Sequence, residues 1–600
     1  MPGTPRLQLS ARATIIVSRL SKSGETFRFH IIISLWSLSV NKSLKGEQMK
    51  ADKLLTCCLG AALAISIAAP ASASGGVYID GEAFDSLDGL YAVGDGGLEQ
   101  LTGGGQYVMT SGGLVQLDGS LTAPEGDPEH LDVTGELELP YDKIRVGLYY
   151  YAGESSIRNP TLEYANLENE TGSGYELGYY DSEREFHVLA ETDETRITMC
   201  IDRNVSTGGG TVGCYHIRLP GSYTSYEEAM YAADEYPDGF AAYYNGRFYA
   251  LCGAYETAGE AQLALDASGG YGEVYTASDR CVVVTRTSDA GIIFEFDCGS
   301  SLSLGVRPRG DDTLTWFRGN TYRGGFDYTR RDGELLTVVN VVDIEDYVKG
   351  VLPYEMSEGW PLEALKAQAV CARTYAANHF NSLRGYGCDV SNDTYSQVYR
   401  GTGASGAGTD AAVEATSGLY LTYDGRPIDA MYCSSSGGAT ENSENVMANA
   451  VGWLRGKVDP YEAASDGLNA NSSWTKSFSG SSLAAAVNRY GYELGTVTDV
   501  ETTLSATGNV IGLTFTDAAG RSAEFERSSC YNFVTGALGL GSIHFEVSES
   551  AGGFTFTGGG WGHNLGMSQY GAYAMASAYG FTFDQILNFY YTGVELSRGV

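Results

Sequence analysis

From Lys143 to about residue 205, and again from Cys281 to Val342, the chain reads as one strand after another, and at Ile344 it turns helical. That switch constrains the fold more than any other feature. Lys143-Ile-Arg-Val-Gly-Leu-Tyr-Tyr, Cys281-Val-Val-Val-Thr-Arg, Gly291-Ile-Ile-Phe-Glu-Phe, Leu314-Thr-Trp-Phe-Arg, Gly324-Gly-Phe-Asp-Tyr and Leu335-Leu-Thr-Val-Val-Asn-Val-Val set β-branched and aromatic residues between turn signals, as a sheet region requires. Glu345-Asp-Tyr-Val-Lys-Gly-Val-Leu predicts one short helix. Residues 361–380 predict the best helix of the chain. Pro361 fits its first position, Glu363 sits where the helix dipole favours a carboxylate, and Leu362, Leu365, Ala369, Ala372 and Ala376 keep a helical stripe. A further αβ stretch is expected at 471–550, with a helix from Ser482 to Tyr490, and a closing helical region at 571–590. The fold class is α+β, and six hundred residues make it multidomain.

Residues 212–270 change character. Val212-Gly-Cys-Tyr-His-Ile-Arg-Leu reads as a strand. Ser225 caps a helix with Glu228 three residues on, Asn245-Gly246 turns a hairpin, and Thr257 opens a second helix. Strand, helix, strand, strand, helix in this order make a small αβ sandwich.

A net charge of -36 argues against binding a phosphate backbone, so no nucleic-acid partner is expected. Met49-Lys-Ala-Asp-Lys53, the apolar run from Leu54 to Ala68 and Ala71-Ser72-Ala73 read as a signal peptide over 49–73, giving a secreted, wall-associated protein. Residues 1–48 are then an upstream extension, translated in error before a natural start at Met49. Residues 74–142 are Gly-rich short strands without an assigned role. Cys57 and Cys58 lie in the leader, and nine cysteines remain. Outside the cell Cys200 with Cys214, and Cys281 with Cys298, fit bridges across turns; buried free thiols fit equally well.

Five local patterns stand in order. They are Val341-Val-Asp-Ile-Glu-Asp-Tyr-Val-Lys-Gly-Val-Leu-Pro-Tyr-Glu-Met, Trp360 to Tyr375, Ser396-Gln-Val-Tyr-Arg-Gly, Tyr432-Cys-Ser-Ser-Ser-Gly-Gly, and Gly558-Gly-Gly-Trp-Gly-His-Asn-Leu-Gly-Met-Ser-Gln569. In these blocks the chain resembles the SpoIID/LytB family, whose sporulation members are peptidoglycan lytic transglycosylases. The likeness runs from about 143 to 597. Residues 212–277 interrupt it and resemble a SPOR-like module that binds glycan strands. The resemblance implies a first catalytic part at 143–211, a main catalytic domain at 278–600, and a long helix beside the active cleft. It also implies peptidoglycan glycan strands as substrate and no cofactor. A non-catalytic, wall-binding protein that modifies an amidase is the alternative from the LytB side of the family.

The family's acid is the Glu of its Pro-x-Glu-Met motif, which falls on Glu355. Cleaving a glycosidic bond requires a proton on the leaving oxygen. One carboxyl suffices when the sugar's own primary hydroxyl is the nucleophile, because the same group donates one proton and accepts another. Two-carboxylate hydrolysis would instead need Glu358 or Glu363. Glu355 is read as sitting just before the long helix, with Met356 and Trp360 as its apolar wall. Arg373, Gln397, Tyr399, Ser435, Ser436, His563 and Gln569 are the expected substrate contacts. The dense glycines around His563 are read as letting polar groups approach a ligand closely. Arg373 equally fits a helix-face ion pair, and Ser435 with Ser436 a simple turn. Relatives with zinc carry His-x5-Cys-x5-Cys after the long helix. This chain offers Cys388 there, but Thr394 and Ser396 where further ligands belong, so no metal is expected. Tyr354 replaces a common Ser, and Gly-His-Asn-Leu-Gly a frequent Gly-His-Gly-Val-Gly; both changes bear on the shape of the cleft.

Overall fold

The structure, a computed structural model, describes residues 127–600 apart from 151–160, 170, 331–334 and 551, with the backbone of short strands before them. The leader, the upstream extension and most of the Gly-rich stretch lie outside the described residues. From Glu129 onward the chain forms two compact units. One holds 130–431, 575–587 and 594–600; the other holds 432–574 and 588–593.

The larger unit is built on two sheets. In chain order its strands are β1 (Lys143–Tyr149), β2 (Tyr164–Asn169), β3 (Tyr175–Tyr180), β4 (Phe186–Thr192) and β5 (Arg196–Ile201). Next come β6 (Tyr215–Arg218), α1 (Tyr226–Ala233), β7 (Gly239–Tyr244), β8 (Arg247–Tyr255), α2 (Ala258–Ala267) and β9 (Glu273–Tyr275). The run closes with β10 (Val282–Arg286), β11 (Ile292–Asp297), β12 (Leu304–Pro308), β13 (Thr315–Phe317), β14 (Asn320–Tyr322), β15 (Gly325–Arg330) and β16 (Leu336–Asp343). Three helices follow, α3 (Ile344–Glu355), α4 (Leu362–Asn378) and α5 (Ala407–Ala415), with the short β17 (Val390–Ser391) between the last two and β18 (Leu419–Tyr423) after them.

One sheet has the order β4-β3-β12-β15-β16-β1-β17. Its strand β16 is buried on both faces from Leu336 to Val342, as its unbroken apolar run dictates. A buried ion pair ties the sheet to the loop after α4: Asp389 accepts from Arg184 at 2.7 and 2.9 Å and from the backbone N–H groups of Arg145 and Asn381. The other sheet has the order β9-β6-β8-β7-β11-β10-β5-β2-β13-β14.

The expected αβ unit is present, built as β6-α1-β7-β8-α2-β9. Ser225 accepts from the Glu228 N–H, Thr257 and Glu260 complete a reciprocal capping box, and Asn245-Gly246 turns the hairpin with positive φ at both residues. Its sheet does not end within the unit. Strand β7 pairs in parallel with β11, so the four strands are one wing of a ten-stranded sheet.

All nine cysteines among the described residues are free thiols, and eight of them are buried. The expected bridges Cys200–Cys214 and Cys281–Cys298 are therefore absent. Cys200 and Cys281 instead lie on adjacent strands or their ends, buried without exposure. Cys388 packs against Tyr180, Val339 and Val341 as a small apolar group.

The smaller unit contains β19 (Tyr432–Cys433), β20 (Trp474–Phe478), α6 (Gly480–Asn488), β21 (Val497–Leu504), β22 (Val510–Asp517), β23 (Ser522–Glu526), β24 (Phe545–Ser550), β25 (Gly553–Gly558) and β26 (Met567–Ser568). They form sheets β20-β25-β24 and β21-β22-β23 and the parallel pair β19-β26. The chain closes with α7 (Gln569–Ala578), α8 (Phe583–Tyr590) and β27 (Glu595–Gly599), the last pairing with β18 in the larger unit.

Candidate active site

Glu355 is the last residue of α3, where sequence reading set it before α4. The difference comes from Pro353. A proline forfeits one backbone bond and usually stops a helix, but in the final turn the loss is confined and α3 runs through it. Met356 then turns extended (φ -133°, ψ 144°), and its N–H closes on the Leu352 carbonyl at 2.9 Å. Met356 is buried; Glu355 and Trp360 are part-buried.

Helix α3 also carries Tyr347, fully buried two turns before Glu355. Burial holds its hydroxyl un-ionised far above the ordinary range, and the nearby charges, Glu355 among them, add to that push. The hydroxyl donates to Gln397 Oε1 at 3.1 Å, and the ring lies 5.1 Å from that of Tyr399. Tyr399 donates to Asn340 Oδ1 at 2.7 Å, and Asn340 Nδ2 donates to the Arg323 and Gly325 carbonyls. Gln397 and Tyr399 are thus brought to the neighbour of Glu355. Both are 1% exposed, so the contacts they make here are with the protein and not with solvent. Tyr347 and Asn340 were missed. The signal for Tyr347 was its place in the same quoted block, eight residues before Glu355 on one helix.

The rival carboxylates have structural partners. Glu358 accepts from the N–H groups of Gly408 (2.6 Å) and Thr409 (3.0 Å) and from the Thr409 hydroxyl (3.0 Å), so it caps α5 from outside. Those backbone donors, led by Gly408, hold its carboxyl below the usual range. Gly406 permits the approach: a Cβ there would lie 2.5 Å from the Glu358 carboxyl carbon. Glu363 pairs with Lys366 at 2.7 Å and accepts from the Phe583 N–H at 2.9 Å, the first residue of α8.

Arg373 is fully buried and takes the ion-pair role. Its Nε and Nη2 reach both oxygens of Glu345 at 2.8 and 2.6 Å, Nη1 donates to the Leu419 carbonyl, and Nη2 donates also to that of Val413. This is the ion-pair alternative, a clamp between α3 and α4. The helix α4 is buried nearly all round, because α3, α5 and β18 pack against it; Leu362, placed on the apolar stripe, is instead 44% exposed. Pro361 stands at the N-cap, one position earlier than expected.

The other expected contacts belong to the smaller unit. Ser435 and Ser436 are fully buried, and their hydroxyls donate to the two oxygens of Glu462. Ser568 (3.0 Å) and the Ser436 N–H (3.1 Å) complete the shell. Asp459 accepts from the N–H groups of Tyr461 and Glu462 and from the Tyr590 hydroxyl; burial, then the Glu462 charge, pushes its carboxyl up to about 7. Glu462 and Asp459 were missed, since no spacing in the chain links them to the serines.

His563 is held by its own backbone surroundings. Nδ1 accepts from the Leu565 N–H at 3.0 Å, and the ring also bonds the Tyr432 backbone. Burial lowers its pKa to about 4, so the ring is neutral at pH 7. Gln569 is buried at the start of α7, and Trp561 is 55% exposed. The glycines beside His563 serve backbone packing: a Cβ on Gly562 would lie 2.7 Å from that of Cys433, and one on Gly437 would lie 2.5 Å from the Gly559 carbonyl oxygen. An open cleft of about 840 Å³, lined by Glu176, Arg307, Arg309 and Asp346, sits at the opposite end of α3 from Glu355.

The family model described as stage II sporulation protein matches residues 332–423, which span α3, α4, α5 and β18. An uncharacterized protein of Brachyspira hyodysenteriae is 34% identical over 271 residues, 44% of this chain and 69% of that one. The stage II sporulation protein D of Bacillus subtilis is 31% identical over 275 residues, 43% of this chain and 76% of the relative. The amidase enhancer of the same organism is 33% identical over 293 residues, but those cover 42% of this chain and only 40% of the enhancer. With three of the five sequence blocks folded around one helical cluster, and relatives matched over most of their length, the chain belongs to the SpoIID/LytB family.

Proposed function

We propose that the protein is an exported cell-wall enzyme that cleaves peptidoglycan glycan strands by lytic transglycosylation, with Glu355 as both acid and base. The observation that carries this reading is the place of Glu355: it is part-buried at the C-terminal end of α3, beside the buried Met356. The negative end of a helix disfavours a second negative charge, and partial burial acts in the same direction. In this role the carboxyl must carry a proton for the leaving glycosidic oxygen. It then accepts the proton of the sugar's own primary hydroxyl as that oxygen closes on the anomeric carbon, giving an anhydro sugar. Glu358 and Glu363 cap other helices, which supports one carboxyl over two.

The αβ unit at 212–277 serves in this reading as a SPOR-like glycan-binding module. Tyr231 and Tyr271 on its surface are 78% and 57% exposed and offer ring faces to sugars. Tethering such a module to the catalytic region raises the local concentration of strand. The relative named as an amidase enhancer supports a second reading, in which the protein binds the wall and modifies an amidase without cleaving strands itself.

The test is release of soluble fragments from peptide-stripped glycan strands. Glu355→Gln should abolish release while retaining strand binding, and Glu358→Gln should retain release. Equal loss in both variants would contradict the single-carboxyl mechanism. A parent protein that binds strands, releases nothing and stimulates an added amidase would favour the second reading.

A further inference from the structure

Where the αβ unit joins the rest of its sheet, three side chains converge without solvent. His216 on β6 and Glu295 on β11 are fully buried, and the side chain of Asp202, just past β5, is 1% exposed. His216 Nε2 lies 2.8 Å from Glu295 Oε1 and 3.8 Å from Asp202 Oδ1, and one ligand atom from each residue falls within 4.8 Å of the others. We propose that Asp202, His216 and Glu295 bind a divalent first-row transition ion, zinc being the probe of choice, as a structural site that staples the αβ unit to the long sheet.

Three observations carry this. Both Asp202 oxygens, His216 Nε2 and Glu295 Oε1 are buried without a hydrogen-bond partner; the 2.8 Å approach is off the line that a ring N–H bond requires. Unsatisfied polar atoms gathered this closely are costly in a core unless something sits between them. Second, the outer atoms are fixed as metal ligands need. His216 Nδ1 donates to the Gly253 carbonyl at 2.7 Å, which makes Nε2 the nitrogen available to a metal, and the Tyr244 hydroxyl donates to Glu295 Oε2. Third, the charges balance. Two buried carboxylates bring two negative charges into the core, and a divalent ion that displaces the Nε2 proton offsets both. The Arg330 charge also reaches the cluster, and its Nη1 donates to the Cys281 carbonyl.

The donor set fixes the class of ion. One imidazole nitrogen and two carboxylate oxygens suit zinc, manganese or iron, and no thiolate takes part. The separations of 2.8 and 3.8 Å bracket the roughly 3.3 Å edge of a tetrahedron with bonds of about 2.0–2.1 Å. Sequence reading expected no metal because it sought ligands near Cys388. These three residues are spread over 94 positions, and only strand pairing brings them together. Enclosure makes the role structural: the ion enters as the chain folds.

The test uses the full chain without a histidine tag. After exposure to zinc and desalting, elemental analysis should find about one zinc per chain. A strong chelator should lower the melting temperature, and zinc should restore it. Asp202→Asn and Glu295→Gln should each weaken zinc binding by about tenfold or more. Zinc-edge X-ray absorption of the parent needs no variant to fold, and should show nitrogen and oxygen neighbours only. The proposal is overturned if the parent takes up neither zinc, manganese nor iron and melts alike with and without chelator. It is equally overturned by sulfur in the coordination shell, or by folded variants that keep the parent's zinc.

Discussion

The fate of single side chains shows how far a residue type alone carries a functional reading. Glu355, Glu358 and Glu363 are chemically equivalent in the sequence, yet two of them cap helices. Ser435 and Ser436 were read as sugar contacts and are instead donors to Glu462, a partner 26 or 27 residues away whose burial no pattern announces. His563 permits a prediction with a definite sign. A histidine titrates near 6.5 when unfolded, and this one is held at about 4. Between those values the unfolded chain takes up the extra proton, so His563 withdraws stability as pH falls from about 6.5 towards 4 and contributes no such loss above that window. Denaturant melts at pH 7 and pH 5 should show a smaller loss for His563→Gln than for the parent. An equal loss would mean that the ring is not buried as a neutral base.

At the scale of elements, the capped helices and the Asn-Gly hairpin were legible because their signals are local. Ser225, Thr257 and Asn245-Gly246 act within a few residues of themselves. The strand runs from β10 to β16 were legible for the same reason. The end of α3 was not, since Pro353 stops a helix in one context and is tolerated in a last turn in another. Arg373 shows the same limit, because its partner Glu345 lies on a different helix. Here the α3–α4 clamp makes its own prediction. Arg373→Ala leaves Glu345 without its bidentate partner and removes one donor each from the Leu419 and Val413 carbonyls. It should cost about 3 kcal/mol in urea denaturation, the scale for breaking a buried pair. A loss under about 1 kcal/mol, the scale of surface pairs, would show that the clamp is not holding the helices.

At the scale of the molecule, the class α+β and the division into several parts followed from composition and strand-to-helix order. The order of strands within the sheets did not. The αβ unit was read as a module of its own, but β7 continues into β11 and buries an edge that an independent module would expose. Excising 212–277 should therefore uncover β11 and leave the larger unit aggregation-prone, with a lower and broader melt. A soluble deletion protein melting like the parent would show that the unit is merely appended.

The central claim is that Glu355 alone moves the protons of glycan cleavage and that the strand supplies its own nucleophile. Mass spectrometry of fragments from peptide-stripped strands cleaved in oxygen-18 water tests this most directly. The account predicts anhydro-ended fragments with no solvent oxygen from the parent, and no fragments from Glu355→Gln. Reducing-end fragments carrying oxygen-18 would contradict it, because they require an activated water and a second group to activate it.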